Sequence, residues 1–308
     1  MRIGVDLGGT KIEFAAFEDD GTNLASNRIS SPQNSYRNTL VALKEGVDAL
    51  ELSLGKKGTI GIGIPGTISP HTGLVKGANS TWLIGNPIKQ DLEELLGRPV
   101  RIANDANCFT LSEATDGSGA GHNIVFGVII GTGVGGGLCV NGELIEGLNG
   151  ITGEWGHSPL PLEYLDENSK QNDPARTGRT CYCGKLNCIE TYLSGPGFAK
   201  SYFEQSGVQI DPPEIIERLT CDDKAADSVL SSYEGHLARA LAGVINIVDP
   251  DVVVLGGGLS NVFRLYETVP KLWQHWCFSD QVSTSLEPPK HGDSSGVRGA
   301  AWLWPPDC

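Results

Sequence analysis

Two glycine turns, each set between runs of aliphatic and β-branched residues, constrain this chain more than any other feature of it. Gly4-Val5-Asp6-Leu7-Gly8-Gly9 lines up with Gly127-Val128-Ile129-Ile130-Gly131-Thr132, and each copy continues as a returning strand. The first return ends at Asp19-Asp20-Gly21 and the second at Asn141-Gly142. Asn-Gly is a strong hairpin signal because a type I′ turn needs positive φ at both central residues. Strand-and-helix order then repeats. After the first hairpin, Leu40, Leu43, Val47, Leu50 and Leu54 recur at three-four spacing, which predicts a helix over 35–55. TIGIGIPG (59–66) reads as a buried strand closed by Pro-Gly, 88–96 as a short helix, and PVRIAND (99–105) as a strand running into a helix near Asn104. After the second, 225–248 reads as a long helix and DVVVLGGG (251–258) as a strand with a glycine turn. A helix over 260–274 follows, and SSGVRGAAWLW reads as a last helix docking Trp302 or Trp304. Residues 163–180 are polar and irregular, as in a surface insertion. The expected fold class is α/β, two duplicated domains with a cleft between them, the boundary lying in DGSGAGH (116–122). That gives an N-terminal domain over 1–118, joined by a C-terminal helix over 294–308, and a second domain over 119–293.

Composition removes several classes of function. At about 150 residues per domain, 308 residues fit two domains with real cores. Lys plus Arg number 23 against 37 Asp plus Glu, a net charge of −14 without a basic cluster, which argues against nucleic acid and anionic membranes as partners. No apolar run approaches the roughly 20 residues of a membrane span. The start, MRIGVDLGGTK, has neither a charged n-region nor an apolar h-region, so a cytoplasmic location is expected. In a reducing compartment, the three cysteines crowded into CYCGKLNC (Cys181, Cys183, Cys188) favour metal over disulfide. Cys108, Cys139, Cys221, Cys277 and Cys308 are scattered and read as plain thiols.

DLGGTK (6–11) is suited to phosphate. Gly8 and Gly9 let the backbone approach an anion, Thr10 adds a hydroxyl and Lys11 a cation. Asp6 cannot attract phosphate and fits Mg²⁺ instead. An ordinary glycine hairpin explains DLGG alone equally well; the paired loop at Gly131, Thr132, Gly133 and Gly135 tips the balance. GTGVGG (131–136) satisfies G-x-G-x-x-G, yet a dinucleotide site needs a helix next, and GGGLCVNGE continues as a strand. In AND (103–105), a carboxylate at a strand end can accept a hydroxyl proton during phosphoryl transfer. Spacing alone favours Asn104 or Asp105 as a helix cap. EWGH (154–157) and Glu190 add carboxylates and an imidazole, and His157 with the three clustered cysteines matches a closed tetrahedral zinc site in ligand type.

Taken together, DLGGTK, the 131–137 loop, AND, EWGH and CYCGKLNCIE resemble the ROK family of bacterial sugar kinases, collinearly from residue 3 to residue 304. The resemblance implies a two-domain ribonuclease H-like, actin-like ATPase fold. It implies Asp105 as catalytic base and sugar contacts from Asn79, Asn104, Asp105, Glu154, His157 and Glu190. It places MgATP between the two hairpins, on Asp6, Gly8, Gly9, Thr10 and Lys11 and on Gly131, Thr132, Gly133 and Gly135, with Gly256, Gly257 and Gly258 beside the adenosine. It also implies structural zinc on His157, Cys181, Cys183 and Cys188, and a homodimer. ANSTWL (78–83), IANDANC (102–108) and HGDSSGVRGAAWLW (291–304) are similar to the fructokinase or manno(fructo)kinase subgroup. The expected activity is therefore ATP-dependent conversion of fructose to fructose 6-phosphate, with glucokinase, mannokinase or N-acetylglucosamine kinase as alternatives. The family's sugar-responsive repressors carry a helix-turn-helix ahead of the DLGGT strand; five residues before Asp6 and an acidic chain oppose that reading. The family's zinc motif has glycine before its last cysteine where this chain has Asn187, a residue that tolerates positive φ.

Overall fold

A computed structural model describes residues 1–161 and 178–305. The expected insertion over 163–180, apart from its last three residues, and the final residues 306–308 of the expected terminal helix lie outside the described residues. The first half of the chain forms β1 (Arg2–Leu7), β2 (Lys11–Phe17), β3 (Asn23–Ser30), α1 (Tyr36–Leu54), β4 (Thr59–Ile64), β5 (Thr67–Ile68), β6 (Val75–Lys76), α2 (Ile88–Leu96), β7 (Val100–Asn104) and α3 (Asp105–Asp116). The second forms β8 (Ile124–Ile130), β9 (Val134–Val140), β10 (Glu143–Leu144), α4 (Glu190–Leu193), α5 (Gly195–Ser206), α6 (Pro212–Leu219), α7 (Lys224–Val248), β11 (Val252–Gly256), α8 (Arg264–Trp273), β12 (Ser285–Glu287) and α9 (Ser295–Trp302).

The repeat seen in sequence is a repeat of topology. One sheet runs β3-β2-β1-β4-β7 and the other β10-β9-β8-β11-β12, the same strand order twice. In the first, β1 pairs antiparallel with β2 and parallel with β4, and β4 pairs parallel with β7. In the second, β9 and β10 are antiparallel, while β11 runs parallel to β8 and β12. The Asn141-Gly142 turn has φ of 52° and 77°, as its two-residue hairpin requires. This is the two-domain ribonuclease H-like, actin-like fold.

Contacts divide the chain into two compact units, one of residues 1–121, 137–152 and 290–308, the other of 122–136 and 153–289. Residues 137–152, expected in the second domain, group with the first. Lys76 donates to the Asn149 carbonyl at 3.2 Å, and Gly150 stands against Pro70.

In the first unit, Ile3, Val5, Ile60, Ile62 and Val100 fill the sheet and Leu43, Val47 and Leu50 of α1 cover it. α1 starts where Ser35 accepts the Asn38 N–H and stops at left-handed Gly55. α9 lies so close to β1 and β4 that a Cβ on Gly4 or Gly61 would meet the Val297 or Ala300 carbonyl at 1.8 Å. Both tryptophans of the last stretch dock: Trp302 is buried, and Trp304 donates to the Ile60 carbonyl at 2.7 Å. In the second unit β11 is wholly buried. Asp251 ties its start to β8 by accepting the N–H groups of Asn123 and Ile124, each at 2.8 Å. Among the described residues, no helix is long and apolar enough to cross a membrane.

Candidate active site

The first unit gathers its acidic groups at the C-terminal ends of β1 and β7. Asp6 is the penultimate residue of β1, beside Glu13 of β2 and Gly63 of β4 in register. A Cβ on Gly296, in the first turn of α9, would come within 2.8 Å of an Asp6 oxygen, so that glycine makes room for the carboxylate. Burial, then the charges of Asp105 and Glu13, push Asp6 up to about 7. A partly buried carboxylate facing further acids fits a divalent cation: Asp6 is where Mg²⁺ would be held, directly or through water. Gly8 closes the β1–β2 turn by donating to the Lys11 carbonyl at 2.9 Å. Gly9, Thr10 and Lys11 are exposed, and the built Cβ of Gly9 meets only Ser80 Oγ, at 3.5 Å. Exposed Asn79 precedes that serine.

Asn104 and Asp105 divide the cap between them. Asn104 caps α3 by accepting the Ala106 N–H at 2.9 Å, and its amide donates to the Gly66 carbonyl at 3.0 Å. Asp105 accepts the same N–H at 2.8 Å yet stays exposed. Its carboxylate is accessible and its position is fixed.

The second unit builds around the β8–β9 turn. The Gly131 N–H donates to the Gly133 carbonyl at 3.0 Å, and the Gly131 carbonyl accepts from Gly195 at the start of α5 at 2.8 Å. Glu190, first residue of α4, accepts the Val134 N–H at 3.1 Å, and a Cβ on Gly133 would meet the same carboxylate at 2.7 Å. Trp155 anchors the 3₁₀ turn Glu154–His157 by donating to the Gly135 carbonyl at 3.0 Å, leaving Glu154 exposed. A cavity of about 1030 Å³ opens beside the turn, walled by Ile130, Gly131, Thr132, Pro213, Ile216 and Gly258. Gly257, at φ 82°, packs so tightly on Ile130 that a side chain would strike its carbonyl at 2.4 Å, while Gly256 ends β11. Pro196, Pro212 and Leu259 also line this cavity, and sequence reasoning missed them. The signals were the Ser-Gly-Pro-Gly run at 194–197 and Asp-Pro-Pro at 211–213. A smaller cavity of about 260 Å³ shares Thr132 and is lined by Glu190, Cys181 and Tyr182.

The four expected metal ligands converge. The donor atoms of His157, Cys181, Cys183 and Cys188 all lie within 4.8 Å of one another. Cys183 and Cys188 sulfurs are 3.6 Å apart, and Cys181 Sγ is 3.6 Å from His157 Nδ1. A tetrahedron with Zn–S of about 2.3 Å and Zn–N of about 2.0–2.1 Å has edges of roughly 3.5–3.8 Å. The Cys183–Cys188 and Cys181–His157 separations match it, and the remaining donors, within 4.8 Å of one another, need only side-chain adjustment to reach it. Three thiols and an imidazole are also the donor set of closed, structural zinc sites. On the far side of the ring, His157 Nε2 lies 3.0 Å from Tyr182 Oη, a contact that fixes the imidazole plane. Glu190 reaches the cluster too, 3.8 Å from Cys181 Sγ. Asn187 has φ 58°, so the turn that glycine makes elsewhere in the family is kept.

A family profile described as the ROK family matches residues 2–306. An N-acetyl-D-glucosamine kinase from Pasteurella multocida (strain Pm70) is 41% identical over 307 residues, covering 99% of each chain. Another, from Mannheimia succiniciproducens, is 41% identical over 305 residues with the same coverage. Among solved structures, a ROK hexokinase from Thermus thermophilus superposes with a TM-score of 0.84 at 27% identity, covering 97% of this chain and 96% of its own. The expected fructokinase activity is overturned by those full-length relatives. The motifs that pointed to fructose are largely packing residues: Leu83 and Trp302 are buried, buried Ser295 donates to Glu113, and Gly296 clears space for Asp6. These positions report on packing in α9 and at Leu83, whereas Asn79, in the same 78–83 stretch, is exposed. From the profile match and the full-length identities, the chain belongs to the ROK family of sugar kinases.

Proposed function

We propose that this chain transfers the γ-phosphoryl group of MgATP to the 6-hydroxyl of N-acetyl-D-glucosamine. The observation that carries the choice of sugar is full-length likeness, at about two residues in five, to N-acetyl-D-glucosamine kinases. Asp105 takes the hydroxyl proton as the sugar oxygen attacks phosphorus; the new O–P bond forms as the bond to the β-phosphate oxygen breaks, and ADP leaves. The accessible carboxylate at the start of α3 supports this role. Asn79, Asn104, Glu154 and Glu190 bind and orient sugar hydroxyls, and His157 does so through Nε2, exchanging its contact with Tyr182 for the sugar. Asn104 is held by the Gly66 carbonyl and Glu190 by the Val134 N–H, so neither has to be ordered when substrate arrives. The Gly8, Gly9, Thr10 and Lys11 turn and the Gly131, Thr132, Gly133 and Gly135 turn receive phosphates through backbone N–H groups. The large apolar-walled cavity beside Gly258 receives the adenosine. When bound, Mg²⁺ offsets charge on the phosphates, and Asp6 is the residue that holds it. Zinc on His157, Cys181, Cys183 and Cys188 is structural. Incubation of the protein with MgATP and N-acetyl-D-glucosamine tests the reading. The expected products are ADP and a monophosphate ester whose phosphorus couples to the C6 protons in ³¹P–¹H NMR. No turnover at millimolar sugar, or an ester at another position, contradicts it.

A further inference from the structure

Among the described non-glycine residues at positive φ, Asn187 alone lies between Cys183 and Cys188, inside the loop that carries the clustered thiols. Its backbone and its side-chain oxygen engage three chain segments around the site. Its N–H donates to the Arg179 carbonyl at 2.8 Å, and its side-chain oxygen accepts the Arg179 N–H at 2.9 Å. Its carbonyl accepts the Leu160 N–H at 2.7 Å. The same side-chain oxygen accepts the hydroxyl of buried Tyr192 at 2.9 Å. Leu160 is three residues past His157, Arg179 two before Cys181, and Tyr192 two past Glu190 in α4. Asn187 therefore joins the three chain segments that carry all four metal ligands and the carboxylate at the glycine turn. Arg179 reinforces the joint. Its guanidinium lies 4.5 Å over the Tyr192 ring and donates to the Thr191 and Gly197 carbonyls at 2.8 and 3.1 Å.

We propose that Asn187 is a positioning residue, whose side-chain oxygen holds the metal-binding loop and the Glu190 helix in one arrangement, so that metal retention and sugar affinity depend on it together. A glycine keeps the left-handed backbone at no steric cost but has no acceptor. An aspartate keeps both the acceptor and a tolerance for that conformation. The effect on sugar affinity rests on the kinase reading above; the effect on metal does not.

Three variants, Asn187→Gly, Asn187→Asp and Tyr192→Phe, test this on zinc-loaded protein. Two readouts are needed: the rate of zinc release to a chromogenic chelator, and KM and kcat for N-acetyl-D-glucosamine. Losing two hydrogen bonds of ordinary strength should speed release by about five- to thirtyfold in Asn187→Gly. KM for the sugar should rise by a similar factor, with kcat within about twofold of wild type. Asn187→Asp should restore both readouts, and Tyr192→Phe should fall between. Wild-type release from Asn187→Gly, or equal damage in the Gly and Asp variants, overturns the inference. A wild-type protein that binds no zinc overturns it as well. Should Asn187→Gly fail to fold, unchanged release from Tyr192→Phe has the same force. Chelator release needs no turnover, so a mistaken sugar would leave that arm of the test intact.

Discussion

Asp105 and Asn104 are chain neighbours with separable work, and that separation makes the catalytic assignment testable. Asn104 caps α3 and holds the Gly66 carbonyl, so Asp105→Asn leaves the helix start supported. The substitution removes only proton affinity and charge. It should lower kcat by roughly 10²–10⁴, the span of a lost general base, with KM for the sugar changed far less. A variant with near-normal kcat would remove Asp105 from the base role. Gly9 offers a second test in the same unit. It is exposed and its built Cβ touches only Ser80 Oγ, at ordinary contact distance, so Gly9→Val should fold with a thermal midpoint close to wild type. A branched side chain would nevertheless stand where the proposed phosphate contact meets the backbone, and KM for ATP should rise at least about tenfold, roughly 1.4 kcal/mol. Unchanged KM for ATP would reduce this loop to a hairpin. The glycine turn and the acid after β7 were legible in the sequence as local patterns, and their proposed roles rest on the family resemblance. Asp105 could not be told from a cap by spacing, since it does accept the capped N–H.

Two elements carry the consequences of packing. α9 is fastened to α3 through Asp116, which is paired with Arg298 and with His291 Nε2 at 3.0 Å. Burial by itself would raise the Asp116 carboxyl, but the Arg298 guanidinium and then His291 hold it below its ordinary value of 3.8. A depressed folded pKa adds stability that is present above the unfolded value and is lost as pH falls through the folded one. Asp116→Ala should therefore cost about 1–3 kcal/mol at pH 7, and its gap to wild type should shrink below about pH 3.9. Urea unfolding at pH 7 and pH 3 reads this. An equal gap at both values would mean that packing, not charge, is what was lost. The metal-binding loop is the second element. Protein prepared without chelator should carry one zinc per chain. Cys183→Ser should lose the metal and raise KM for the sugar more than KM for ATP, because Glu190 contacts the cluster at Cys181. Metal analysis together with both KM values decides it: full sugar affinity without metal would unlink the loop from the site.

For the whole molecule, the same strand order in both sheets is the structural form of the repeat already visible in GVDLGG and GVIIGT. The hairpins, α1, α3, α7 and the clustering of His157 with Cys181, Cys183 and Cys188 could be read from sequence, since glycine turns, three-four spacing and thiol chemistry leave local marks. The walls of the large cavity could be read only in part, at Gly131, Thr132 and Gly258. Gly195, Pro196, Pro212 and Leu259 carry no reactive group, and only the approach of α5 and α6 to the end of β11 gives them a role. Nor could the sugar be read. Leu83 and Trp82 of ANSTWL pack in the first-sheet core beside α1, and HGDSSGVRGAAWLW packs as α9; a family similar to both a hexokinase and N-acetyl-D-glucosamine kinases does not name its substrate. Selectivity among hexoses rests on a few contacts to one or two substituents, each able to contribute tenfold or more in kcat/KM. The direct test is therefore kcat/KM with MgATP across N-acetyl-D-glucosamine, glucose, mannose and fructose, measured on one zinc-loaded preparation. N-acetyl-D-glucosamine should be highest by at least about tenfold, and a higher value for any of the other three would contradict the account.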